Sequence, residues 1–125
     1  MSDLANRIQD AELEIMRVLW ENGGTLPLID IRRTLQTRNS WEYSTMKTLV
    51  RRLQQKGVIR LVQRGVYSAI VSEDEYAKWS TQMFIDKIFA GSAKKLIASM
   101  VSSGHLSSED ISELSAILED GEGDE

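Results

Sequence analysis

The chain of 125 residues contains no cysteine, which excludes a disulfide framework, a thiolate zinc site and a cysteine nucleophile. Histidine and proline occur once each. His105 sits in the run Ser102-Ser103-Gly104-His105-Leu106, the setting of a plain loop or cap residue. No His/Asp/Glu set has metal-ligand spacing, and neither a G-x-S-x-G elbow nor a glycine-rich phosphate loop occurs. An enzyme is therefore not expected, nor is a cofactor or a metal. No apolar run approaches the roughly 18 residues of a membrane span. Residues 1 to 12 lack the apolar segment of a secretory signal. The expectation is a cytoplasmic chain with no membrane partner.

What remains is ordinary in bulk and uneven in distribution. A hydrophobic fraction of 42% and a charged fraction of 27% suit a soluble globular protein with one compact domain and a smaller appendage. The net charge of −4 conceals two halves of opposite sign. Residues 1 to 71 carry 11 Lys/Arg against 7 Asp/Glu, net +4, and residues 72 to 125 carry 4 against 12, net −8. Nine cations (Arg32, Arg33, Arg38, Lys47, Arg51, Arg52, Lys56, Arg60, Arg64) and one acid, Glu42, fall within residues 32 to 64. Such a local excess is the footprint of a polyanion-binding surface inside an acidic chain.

Along the chain, the periodicity from Asp10 to Asn22 predicts a helix, with Leu13, Met16, Val18, Leu19 and Trp20 apolar and Glu12 and Glu14 in the first turn, where acids complement the dipole. Gly23 and Gly24 end it. A second helix follows, with Pro27 in its first turn, Leu28, Ile29, Ile31 and Leu35 inward, and Arg32, Arg33 and Arg38 outward. The third predicted helix lies within residues 40 to 57. Met46, Leu49, Val50 and Leu53 form its core face, and Ser44, Thr48, Arg51 and Gln55 the opposite face. Lys47 and Arg52 flank that outer face, an arrangement suited to the DNA major groove. Trp41 is expected to anchor the helix from below. Val58 to Val62 and Val66 to Val71, around Gln63-Arg64-Gly65, read as a β-hairpin with Arg64 at its tip. Three helices and a hairpin in this order make a winged helix-turn-helix. A winged helix that binds protein instead of DNA is the alternative.

From Ser72 the pattern changes. Ser72 and Glu75 form a capping box for a helix to about Ala90. Gly91 and Ser92 break it, Ala93 to Val101 resumes it, and Ser107 caps a last helix from Glu109 to Leu118. The apolar residues Tyr76, Trp79, Met83, Ile88, Phe89, Leu96, Ile97, Met100, Ile111, Leu114 and Leu118 exceed what some fifty residues can bury alone. A second copy of the chain is the expected partner, since a two-fold dimer matches a palindromic DNA site; a helical cap on the same monomer is the alternative. The fold class is thus mainly α: residues 1–71 a winged-helix DNA-binding domain, 72–120 a helical dimerisation domain, and 121–125 an acidic disordered tail.

The residues also resemble a known family, the bacterial penicillinase and methicillin-resistance repressors together with the copper-responsive repressors. The likeness spans nearly all of residues 8 to 118. Ala11-Glu12-Leu13-Glu14-Ile15-Met16 with Trp20 resembles the family's A-E-x-x-V-M-x-x-x-W opening. Trp41, then Thr45-Met46-Lys47-Thr48-Leu49, Arg52-Leu53 and Lys56-Gly57 resemble its T-[IV]-[RK]-T-L-x-x-R-L-x-x-K-G helix. Tyr67-Ser68 resembles the end of the wing, and Leu106-Ser107 with Ile111 and Leu114 the last helix. The resemblance implies a dimeric winged-helix repressor on a DNA operator, released by antibiotic or metal stress. It implies Lys47 and Thr48 as groove-facing residues and Arg52 as the family's arginine. The DNA-binding set is accordingly Ser44, Thr45, Lys47, Thr48, Arg51, Arg52 and Arg64, with Ser44 and Arg51 resting on the helix face alone. Glu42 stands where the family more often has a serine cap. The cysteine-rich tail of the copper-responsive branch has no counterpart, and Ser99-Met100 occupies the place of the asparagine-phenylalanine pair linked to proteolysis in the penicillinase branch. The inducer or protease is thus left unidentified.

Overall fold

The computed structural model describes residues 8–123. They form α1 (Asp10–Glu21), β1 (Thr25–Pro27), α2 (Leu28–Arg38), α3 (Tyr43–Gln55), β2 (Ile59–Gln63), β3 (Val66–Ala69), α4 (Glu73–Phe89), α5 (Ala93–Ser102) and α6 (Ser108–Gly123). The chain divides into two compact units that part between Met83 and Phe84, inside α4. The change of charge near residue 72 marks a change of composition, twelve residues before the packing changes.

In the first unit, α1, α2 and α3 close around Ile15, Met16, Val18, Leu19, Ile31, Leu35, Met46, Leu49, Val50 and Leu53. Val58 and Ile59 extend that core into the sheet. Trp41 packs against it as expected, immediately before α3. The sheet differs from the expected hairpin in having a third strand, with order β1-β3-β2 and both pairings antiparallel. Thr25 faces Ser68 and Pro27 faces Val66. Pro27 fits because it sits on an edge strand, where its missing N–H costs no ladder bond. The same residue caps α2, which starts one residue later than the sequence suggested. Ile29, expected to face inward, is 61% exposed. It lies two residues from buried Ile31, about 200° around the helix.

Glu12 lies in the first turn of α1 as the sequence indicated, and it is also an inward-facing residue. It is fully buried, its Oε1 accepting from the Gln9 amide at 2.9 Å and from Lys56 Nζ at 2.5 Å. Its Oε2 has no hydrogen-bond partner among the described residues. The first turn of α1 is thereby tied to the end of α3, where Gly57 takes a φ of +78° and its amide donates to the Gln54 carbonyl at 3.1 Å, a left-handed helix stop.

The start of α4 belongs to this unit. Trp20 Nε1 donates to the Val71 carbonyl at 2.9 Å, and Trp20 and Tyr76 bring their rings to 5.7 Å between centroids. The Ser72/Glu75 capping box forms as the sequence indicated. In the second unit, Ser107 and Asp110 exchange the same reciprocal bonds. The last helix runs to Gly123, beyond Leu118 and three residues into the stretch read as a disordered tail. Residues 124 and 125 lie outside the described ones. The backbone and hydroxyl hydrogen bonds from Ser107 lower the Asp110 pKa below its ordinary value. A carboxyl so lowered adds stability that is present above the ordinary value and lost as pH falls through the lowered one. Circular dichroism should therefore show α6 losing helicity in that acid range in the wild type, with a smaller acid loss in Asp110→Asn.

Candidate nucleic-acid interface

The outer face of α3 arises from its inner one. Burial of Met46, Leu49, Val50 and Leu53 turns Ser44, Thr48, Arg51 and Gln55 directly outward, at roughly 100° per residue. Lys47 and Gln54 lie on one flank of that face, Thr45 and Arg52 on the other, and all are exposed. Lys47, Arg51 and Gln54 line a shallow groove with Tyr67 of β3 and Leu28 of α2. Arg52 and Thr45 point away from it, so the expected set is split across two edges of the helix. Thr48 donates its hydroxyl hydrogen to the Ser44 carbonyl at 3.0 Å. To a ligand it therefore offers oxygen lone pairs and a methyl group. Glu42 caps α3 by position, with no side-chain hydrogen bond to the first turn.

Arg64 occupies the two-residue turn between β2 and β3, as the sequence indicated. The turn does not project freely. The Gly65 carbonyl accepts from the Leu28 amide at 2.7 Å, which pins the wing turn to the start of α2. Gly65 holds a φ of +74° there, a conformation that costs glycine little. Arg64 consequently shares a cleft with Arg32 and Tyr43, which the expected interface set did not include.

Ion pairing sorts the nine cations of residues 32 to 64. Arg33 meets Asp30 at 3.4 Å, Arg38 meets Glu21 at 2.9 Å, and Lys56 meets Glu12. That leaves six, Arg32, Lys47, Arg51, Arg52, Arg60 and Arg64, with no carboxylate partner among the described residues. Four of them lie on α2 and α3 and two on the wing. A surface that keeps so many exposed charges without internal neutralisation is built for an external polyanion.

The helical residues expected at a dimer contact fall into two groups. Tyr76 and Trp79 pack on the core of the first unit, and Met83 ends that unit. In the second unit no described residue is buried. Phe89, Leu96 and Met100 are half-buried, while Ile88, Ile97, Ile111, Leu114 and Leu118 are exposed, Leu118 by 68%. Phe84, Val101 and Ile117 add to the same apolar surface. These three share the helical spacing of the others, although the expected set omits them. Among the described residues no group of three potential ligands could hold a metal ion, and no helix is long and apolar enough to cross a membrane.

A family model described as penicillinase repressor matches residues 8–120. A penicillinase repressor of Bacillus licheniformis is 28% identical over 117 residues, covering 91% of each chain. The methicillin resistance regulatory protein MecI of Staphylococcus aureus (strain N315) is 29% identical over 121 residues, covering 94% of this chain and 98% of its own. An uncharacterized 16.5 kDa protein of Latilactobacillus sakei is 32% identical over 123 residues, covering 94% of this chain and 82% of its own.

Proposed function

The chain belongs to the penicillinase repressor family, and we propose that it acts as a dimeric transcriptional repressor that holds a palindromic DNA operator through α3 and the wing. One observation carries this reading: α3 and its surroundings present six cations that no carboxylate of the described residues neutralises. Lys47 and Arg51 read base edges from the wing side of α3, and Ser44 and Thr48 face the groove floor. Thr45 and Arg52 meet the strand on the far flank, and Arg64 holds the backbone beside the wing. Lys47→Ala or Arg51→Ala is expected to lower discrimination between a selected duplex and a scrambled one by about 1–3 kcal/mol. An equal loss on both duplexes, read by fluorescence anisotropy, would make the residue a phosphate contact.

Dimerisation through residues 72–120 rests on the second unit's lack of any buried residue among those described. Apolar surface of that extent on three short helices needs a second surface to cover it. A two-fold partner does so while setting two copies of α3 about one DNA turn, or a multiple, apart. Leu118→Asp is expected to weaken self-association by roughly tenfold or more, because it replaces an apolar side chain at the interface with a charge. Sedimentation equilibrium at micromolar concentration checks this, and a fully helical wild-type monomer would remove the dimer from the account. The operator is released by a signal whose chemistry is not thiolate binding within these residues, since none is a cysteine.

A further inference from the structure

Tyr43 opens α3 and is 40% exposed. Two cations from different helices converge on its ring: Arg32 Cζ of α2 at 4.5 Å from the centroid and Lys47 Nζ of α3 at 5.4 Å. Both distances lie within the reach of roughly 6 Å over which a ring quadrupole attracts a cation. Neither cation has a carboxylate partner among the described residues. The ring is thus the group that holds both of them in place. A lysine ammonium on a free four-carbon stem samples many positions, and a ring beside it narrows them. Two like charges gathered at one ring also repel, which an anion seated between them would relieve. The ring opens on the cleft of about 430 Å³ that Arg32, Tyr43, Ile29, Arg64 and Gly65 line, with the guanidinium groups on α2 and on the wing turn.

We propose that Tyr43 is a specificity-determining positioning residue: its ring holds Arg32 for a phosphodiester group seated in the cleft and Lys47 for a base edge in the adjoining groove. The inference rests on the DNA-binding reading and adds a division of labour to it. Arg32 supplies affinity without sequence preference. Lys47 supplies preference only while the ring restrains it. The ring is required and its hydroxyl is not.

The test uses the full-length chain with a duplex enriched from a random-sequence pool by the wild-type protein and a scrambled duplex of equal length. Affinities for both are measured across a salt series, with circular dichroism confirming the fold of each variant. Tyr43→Ala should shrink the ratio of the two affinities by roughly two- to fivefold, the worth of an exposed cation–ring contact, and Tyr43→Phe should retain the wild-type ratio. Arg32→Ala should weaken both duplexes equally and make the plot of log affinity against log salt shallower by about 0.9 for each phosphate that the variant leaves unneutralised. A Tyr43→Ala protein with an unchanged ratio would overturn the proposal alone, as would a Tyr43→Phe protein that loses as much as Tyr43→Ala. Should Tyr43→Ala fail to fold, Tyr43→Leu, which keeps apolar bulk without the ring's charge distribution, takes its place with the same expected loss and the same overturning result. A wild-type chain that enriches no duplex would overturn both the proposal and the DNA-binding reading beneath it.

Discussion

Lys56→Met should destabilise the first unit by about 3–5 kcal/mol, the cost of stranding a buried charge. Glu12 is fully buried and pairs with Lys56 Nζ at 2.5 Å, while among the described residues nothing hydrogen-bonds to its Oε2. Methionine keeps the aliphatic stem and removes the ammonium, leaving a buried carboxylate without that counter-charge. The reverse change is milder. Lys56 keeps a quarter of its side chain exposed, so Glu12→Gln leaves a cation that can turn to water, at an expected cost of about 1–3 kcal/mol. Urea unfolding checks the asymmetry as a shift of midpoint at constant slope. Against a total stability of about 5–15 kcal/mol, the first change alone takes a large share of what keeps α3 in place. A Lys56→Met protein with wild-type stability would show that the pair does not hold α1 to α3. The lysine lies in the basic stretch by sequence, yet its ammonium is engaged by Glu12, so the proposed reading gives it the role of holding α3 and no phosphate contact. Its removal should accordingly leave the salt dependence of binding unchanged in the molecules that remain folded.

Salt should act on the complex with the largest effect of any single variable. The six cations of residues 32 to 64 without a carboxylate partner among the described residues allow a dimer to make roughly six to ten phosphate contacts, for which affinity falls about 10³- to 10⁵-fold between about 50 and 200 mM salt through counterion release. The three cations with internal partners make a control. Arg33 and Arg38 have carboxylates at 3.4 and 2.9 Å, so alanine at either should change the salt slope less than alanine at Arg32 or Arg64. Titration of a labelled duplex across a series of salt concentrations measures both. A flat dependence would mean that the cations are not at the interface.

Much of this surface was legible in the chain because α3 is organised by a local rule. Three- and four-residue spacing put Met46, Leu49, Val50 and Leu53 inside and left the polar residues no other place. The Ser72/Glu75 and Ser107 caps were readable for the same reason, since a cap joins residues three apart. What was not legible depended on partners distant in sequence. Glu12 looks like a first-turn acid until Lys56, forty-four residues on, makes it a buried one. Thr25–Pro27 has no strand pattern of its own, and only pairing with β3 makes it one. Tyr43 carried no signal as a site residue because Arg32 reaches it from another helix. The unit boundary was displaced because α4 is a continuous helix whose first turns are claimed by Trp20 and the core beneath it.

Hydroxyl-radical footprinting of the wild-type chain on a duplex selected from a random-sequence pool tests the central claim most directly. The account predicts two protected windows related by two-fold symmetry, centred about one helical turn or a multiple apart, with protection lost when Lys47 and Arg51 are replaced together. No protected window on any selected duplex, with the basic face of α3 instead masked by a protein partner, would contradict it.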